Sequence, residues 1–411
     1  MLNKIIEFSI KNKLIIALFT LGLIIYGIFE VRKLPIDAVP DITDNQVQII
    51  TVSPSLGAPD VERFITFPLE QANNNIAGIK QMRSFSRFGL SVITIVFKDE
   101  VDLHWARQQV AERLQQVSKD IPTSLGTPSM APISTGLGEI YQYVVRPKKG
   151  YEHRYNAMQL RTIQDWIVRR QLLGTEGVAD VASFGGDLKQ YEVAVNPSQL
   201  KSMGVTMTEV FDALQKNNQN TGGAYIEKGP SVLFIRTEGL MGKITDIENT
   251  VVKNLEDGTP ILIKNIGTVQ YGKAIRYGAM TYNGQGEVAG AVVMMMKGEN
   301  SNEVIKKVKT RIKKMKKNLP EGVKIDAFLD RTKIVNKNIE KKKKNLLEGA
   351  LIVVFVLVLF LGNLRAGFLV ASVIPLSMLF AIIMMNIFGV SGNLITLGEL
   401  DFGLIVDAAA I

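Results

Sequence analysis

No cysteine occurs in the 411 residues, so neither a disulfide framework nor a thiolate metal site can be built from this chain. Histidine is nearly absent as well: His104 and His153 are isolated, and neither has a second ligand at metal spacing. Acids are outnumbered, 39 against 48 lysines and arginines, for a formal net charge of +9. That excess does not point to nucleic acid, because it gathers in two local lysine runs, one within Ser301 to Leu319 and one at Lys341 to Lys344. Charge of either sign is missing from three long runs, Leu14 to Phe29, Gly349 to Leu364 and Ala366 to Gly398. With 46% hydrophobic residues and the apolar runs gathered at both ends, composition indicates a membrane protein with a large middle of ordinary soluble texture.

The first run, sixteen residues between Lys13 and Glu30, makes a helix of about 24 Å against a hydrocarbon core of about 30 Å, so it crosses with help from its flanks. No small-residue cleavage site follows it, which argues against a signal peptide. Lys4, Lys11 and Lys13 place the N-terminus on the cytoplasmic side. The third run, thirty-three residues, is too long for one crossing, and the Gly389 to Asn393 turn signal divides it. Four crossings result, with Arg365 in an inner loop between the second and third.

The middle repeats a pattern. Strand Val47 to Thr51, helix Pro59 to Ala77, strands Gln81 to Ser86 and Ser91 to Phe97, and a helix from Leu103 to Ile121 lead to a connector, Pro122 to Gly138. The order begins again with strand Tyr141 to Val145, helix Ala157 to Leu173 and strand Val178 to Phe184. It resumes after about ninety residues with strand Val288 to Met296, helix Ser301 to Leu319 and strand Lys324 to Phe328. Two ferredoxin-like βαββαβ units are the economical reading, the second split by the insertion Asp187 to Tyr277. The helix Ser301 to Leu319 keeps Val304, Val308, Ile312, Met315 and Leu319 on one stripe, and its seven lysines and Arg311 form a solvated face. Met294 to Met296 reads as core packing, since only Met294 and Met296 share a strand face.

Chemistry is concentrated in the last eighteen residues, where an apolar helical pattern carries Glu399, Asp401 and Asp407. A carboxylate at bilayer depth costs roughly 2.5 to 3.5 kcal/mol and is retained where it faces protein or water and has a task. Desolvation raises its pKa toward accessible pH. Asp401 and Asp407 are therefore candidate proton-relay groups, separated on a helix by about 9 Å of rise and about 120° of rotation. Glu399 suits a structural role as well as a functional one. Asp401-Phe402-Gly403 matches a kinase triplet, but no glycine-rich or catalytic loop accompanies it. Gly239 to Thr245 has the wrong spacing for a phosphate loop.

Several long motifs stand in order: Leu34 to Thr43 (LPIDAVPDIT), Arg83 to Ser91 (RSFSRFGLS), Ile133 to Glu139 (ISTGLGE), Ile163 to Trp166 (IQDW), Leu361 to Arg365 (LGNLR) and Asp401 to Asp407 (DFGLIVD). In these the chain resembles the heavy-metal efflux branch, of the Czc and Cus type, of the resistance-nodulation-division transporters. The resemblance implies an α+β membrane protein: transmembrane helices plus two periplasmic ferredoxin-like βαββαβ porter subdomains with an inserted docking domain. It divides the chain into a first membrane helix (1–30), a first porter subdomain (31–134), a second (135–186 and 278–332) and a docking insertion (187–277). Helix two with its linker (333–364), helix three (366–388) and a truncated helix four (394–411) follow.

By the same resemblance Asp407 and, second to it, Asp401 carry protons, in the bacterial inner membrane with the large domain in the periplasm. The implied assembly is a homotrimer among membrane lipid, joined to a periplasmic adaptor and an outer-membrane channel, with no nucleic acid. The metal cation is substrate, the proton motive force drives transport, and no cofactor is needed. The metal-binding residues are implied in a C-terminal half beyond this sequence, which makes the chain an N-terminal fragment. Ala408 stands where divalent-cation members usually have glycine, and Glu399 replaces a small residue, so divalent cations and copper or silver both stay open. Two other readings are an exporter of drug or lipid-like substrates and a membrane-anchored periplasmic binding or sensor protein. The first has adjacent aspartates on this helix, against Ala408 here. The second leaves the acids unexplained.

Overall fold

A computed structural model describes residues 2–33, 36–37, 43–54, 56–122, 125–220, 222–236, 239–276, 278–361, 364–388 and 392–393. Two four-stranded antiparallel sheets dominate the middle of the chain. The first is built from Asn45–Val52, Ile79–Arg87, Leu90–Phe97 and the two-residue strand Ser129–Met130. The second uses Glu139–Pro147, Val178–Phe184, Ala289–Met295 and Val323–Asp330. Numbered along each unit, both sheets have the spatial order 4-1-3-2. This is the order that two βαβ crossings interleaved in one sheet produce.

Alternation puts the right residues inward. Val47 and Ile49, then Ile93, Ile95 and Phe97, are buried against helix Leu103–Val117, which supplies Ala106 and Val110. Asp102 caps that helix by accepting from the Trp105 amide at 2.8 Å. In the second unit Tyr143, Val145, Ala291 and Val293 meet Val304, Val308, Ile312 and Met315 of helix Ser301–Met315. Each fully buried aliphatic side chain of this kind contributes roughly 1.5 to 3 kcal/mol. Three details differ from the sequence expectations. The stretch read only as a connector holds a short strand, since Ser129 and Met130 pair with Ile50 and Ile49 and close the first sheet. Met295 alone of the methionine triplet enters the core, while Met296 is 43% exposed. Helix Ser301–Met315 stops a turn early, although Leu319 still packs on the core.

The first helix of each unit is interrupted at a matching place by a π-helical turn, Glu62–Thr66 in one and Gln164–Arg169 in the other. Each turn carries a fully buried polar side chain that bonds toward the second strand. Thr66 meets Ser86 and Ser91 at 2.7 and 2.8 Å, and Ser86 in turn donates to Glu62. In the second unit the Tyr143 hydroxyl donates to Gln164, Gln164 donates to Ser183, and Ser183 donates to Asp165 at 2.6 Å. Arg161 closes this chain on Asp165 at 2.7 Å. Burial pushes the Tyr143 hydroxyl pKa well up, despite its bond to Gln164, so it stays a donor.

The insertion leaves and re-enters the second unit through a strand pair, Lys189–Val195 against Gly267–Lys273. It has its own small core, in which Leu200, Val210, Ile247, Ile263 and Ile266 are buried. A hairpin, Gly222–Lys228 with Ser231–Arg236, leaves Tyr225 and Phe234 exposed.

Helix Lys13–Lys33 is 21 residues, about 31 Å, and is preceded by a short amphipathic helix, Leu2–Lys11. Its stretch Lys13–Val31 has a mean hydropathy of 2.4 and is long and apolar enough to cross a membrane. The helix is longer than the uncharged run because it incorporates Glu30. The strand ending at Asp330 passes directly into a 31-residue helix, Arg331–Leu361, so the expected linker is itself helical and carries the Lys341 to Lys344 run. Helix Leu364–Ile387 follows and contains Pro375, with a shorter apolar stretch at Pro375–Ile387.

Candidate functional site

Asp401 and Asp407, the acids singled out above, lie outside the described residues together with Glu399. What the structure does place is a junction of two helices, Lys13–Lys33 and Leu364–Ile387, that precede them in the chain. Helices Lys13–Lys33 and Leu364–Ile387 pack side by side. At Gly27 the approach is close: a Cβ there would stand 2.9 Å from Leu379 Cβ, a distance real side chains do not adopt. One turn further on, Glu30 is 7% exposed and Asn386 reaches it with a single amide nitrogen. That nitrogen donates to the Glu30 carboxylate at 2.7 Å and to the Glu30 carbonyl oxygen at 3.0 Å. The carbonyl belongs to the last turn of its helix, so the amide meets the backbone there as well as the side chain. Beyond the helices, Ile36–Asp37 pairs in parallel with Gly392–Asn393.

Two further buried carboxylates mark the boundaries of the second sheet. Asp330, where the sheet gives way to the long helix, accepts from Lys309 at 2.6 Å and from the Thr332 hydroxyl at 2.6 Å. Burial pushes its pKa up, but the bonds from Lys309 and Thr332 outweigh burial and hold it below the usual carboxylate range. It lies beside Tyr141, whose hydroxyl is pushed up to about 12 by burial and by this charge. Asp187, at the entry to the insertion, has Lys273 at 2.6 Å and Arg276 at 3.0 Å, and Arg276 also grips Glu287 at 2.8 Å. The hydrogen bond from Lys273, helped by Arg276 and opposed by burial, holds the Asp187 pKa low. Among the described residues no three His, Asp or Glu side chains gather as a metal set.

Sequence reasoning passed over Glu30 and Asn386. Glu30 served only as the flank that ended an uncharged run. Asn386, an amide inside thirty-three otherwise largely apolar residues, was the available signal. The Asp187 cluster left no signal of its own, because Asp187 and Arg276 are 89 residues apart.

Residues 5–411 match the model of the AcrB/AcrD/AcrF family. The chain belongs to that family. It is 46% identical over 413 residues to Protein HelA of Legionella pneumophila, with all of this chain and 39% of that protein covered. Over 415 residues it is 44% identical to the cobalt-zinc-cadmium resistance protein CzcA of Cupriavidus metallidurans, with the same coverage of each chain. To the cation efflux system protein CusA of Escherichia coli K12 it is 35% identical over 413 residues, again across 100% of this chain and 39% of the relative. A crystal structure of a heavy metal efflux pump superposes with a TM-score of 0.87 at 34% identity, covering 98% of this chain and 40% of that one. This family member thus spans about two fifths of the length of the relatives it matches. The likeness to the heavy-metal branch of the resistance-nodulation-division transporters, read from its motifs, holds along the whole chain.

Proposed function

We propose that this chain is part of the inner-membrane component of a tripartite pump that exports heavy-metal cations in exchange for protons. The observation that carries the reading is the pair of carboxylates, Asp401 and Asp407, in an apolar stretch of a chain whose whole length matches part of proteins named for cobalt-zinc-cadmium resistance and for cation efflux. In this reading the acids take up and release protons as the segment that bears them changes its exposure. The two four-stranded sheets act as periplasmic porter units, the insertion docks against its neighbours, and the pump works as a homotrimer with an adaptor and an outer-membrane channel. Helices Lys13–Lys33, Arg331–Leu361 and Leu364–Ile387 are successive crossings.

The substrate reading that identity favours is a divalent cation. Identity is 44% to the protein named for cobalt, zinc and cadmium resistance, against 35% to the cation efflux protein CusA. The test is metal tolerance of a sensitive Gram-negative host that expresses the complete reading frame, challenged with zinc, cobalt, cadmium, copper and silver. Protection against the divalent set, lost in Asp407→Asn with assembly intact, is the expected result. Unchanged tolerance in Asp407→Asn sinks the relay role, protection against copper and silver alone reverses the substrate assignment, and no protection from any metal sinks the efflux reading.

A further inference from the structure

We propose that Glu30 is a positioning residue of the transport cycle. With Asn386 and the strand pair beyond it, Glu30 locks the outer ends of helices Lys13–Lys33 and Leu364–Ile387 into one junction. That junction passes movement from the segment carrying Asp401 and Asp407 to the first sheet. The inference rests on the membrane-pump reading above.

Three features point to a built junction rather than an incidental contact. The first is the economy of the tie, in which one Asn386 amide holds helix Lys13–Lys33 by a buried carboxylate and by a carbonyl in the last turn of that helix. A buried carboxylate so held resists separation, because pulling the helices apart costs it the Asn386 amide. The second is the fit beneath it. Gly27 and Glu30 are three residues apart and share a face, as do Leu379 and Asn386 at seven apart, so the close contact and the polar tie are stacked in one seam. The third is register. Glu30 and Asn386 are 356 residues apart, and the pairs Ile36 with Gly392 and Asp37 with Asn393 keep that same offset. The strand pair thus keeps the register of the helix contact, six residues further along each segment.

What the two chains lead to gives the junction its task. Eight residues after Asp37 the first chain reaches Asn45, which opens strand Asn45–Val52, and that strand carries two neighbours in the first sheet. Asn393 is followed directly by Leu394, the start of the stretch bearing the acids. A shift of that stretch on protonation is thus joined to the first sheet through a hydrogen-bonded bridge in addition to the long covalent path.

The experiment uses the full-length pump reconstituted in proteoliposomes, with zinc uptake as readout. Glu30→Ala is expected to lower kcat at least tenfold with KM within twofold of wild type, because metal capture is untouched while transmission is lost. Glu30→Gln keeps a carbonyl oxygen for the Asn386 amide and is expected to restore most of kcat. Unchanged kcat in Glu30→Ala overturns the proposal, and so does an equal loss in both variants, which would assign the effect to charge rather than to the tie. Backbone amide exchange at residues 36–37 and 392–393 gives a second readout that does not depend on transport. Protection in wild type that is lost in Glu30→Ala supports the junction, and absence of protection in wild type overturns it. Should wild type move no metal, the efflux reading fails while the exchange measurement still decides the junction.

Discussion

At the scale of single residues, charges taken out of water are the ones that report on the fold. Asp330 is 8% exposed and is held by Lys309 and by Thr332. Replacing Lys309 by methionine keeps the stem of the side chain and leaves the carboxylate without its cation. Breaking a buried pair in this way costs about 3 to 5 kcal/mol, and since Lys309 is itself 37% exposed the lower end, about 3 kcal/mol, is expected. The pH dependence has a definite sign. The folded carboxyl has a depressed pKa, so its contribution is complete above the unfolded value of about 3.9 and is lost as pH falls through the folded value. Unfolding of wild type and Lys309→Met in detergent, followed from neutral pH to about pH 3, is therefore expected to show a gap that narrows only below about pH 4. A gap of constant size would mean that Lys309 acts through packing alone. The sequence made such residues hard to see. Asp330 looked like the end of a strand, Lys309 like one of seven lysines on a solvated face, and Glu30 like a helix flank. Burial is a property of the fold, and a charge in the sequence carries no mark of it.

Periodicity made the larger elements legible, because strands of seven to nine residues and helices of fifteen repeat often enough to declare their period. Strand Val178 to Phe184 and the buried stripe of Ser301–Met315 are instances. The two-residue strand Ser129–Met130 has no period to read, and the π turns at Glu62–Thr66 and Gln164–Arg169 insert a residue that shifts the helical phase. The neck of the insertion also belongs to this scale. Gly185 and Gly186 have φ of 65° and 68°, and a Cβ on either would run into neighbouring backbone, at Val288 for the first and at Ala157 for the second. The turn they make brings Asp187 under Lys273 and Arg276, so the strands that enter and leave the insertion are pinned where they part. Asp187→Ala removes both bonds to the carboxylate, and a loss of about 1 to 3 kcal/mol is expected in the opening of this pair. Amide exchange in 189–195 and 267–273 is expected to rise at least about fivefold while both four-stranded sheets keep their protection. Uniform acceleration across the molecule would show that Asp187 supports global stability instead.

For the whole molecule, the decisive question is how many times the chain crosses the bilayer. The sequence counts four crossings from its charge-free runs, and among the described residues one segment, Lys13–Val31, passes the test of length and composition. The lack of cysteine makes this measurable, since any introduced thiol is unique within these residues. Lys149 lies in the exposed turn after strand Glu139–Pro147, and Lys11 ends the short helix before the first crossing. In spheroplasts, Lys149→Cys is expected to react with a membrane-impermeant maleimide, and Lys11→Cys only after permeabilisation. Arg365→Cys separates the alternatives. Helix Arg331–Leu361 is about 46 Å long, so it can reach from the second sheet to the membrane surface and still cross a core of about 30 Å in part of its length. If it crosses, Arg365 is labelled only after permeabilisation, and the segment from Leu394 onward is returned to the bilayer by the crossing that follows. If Arg365→Cys reacts from outside, helix Arg331–Leu361 does not cross, and the count of four crossings behind the proposed relay fails.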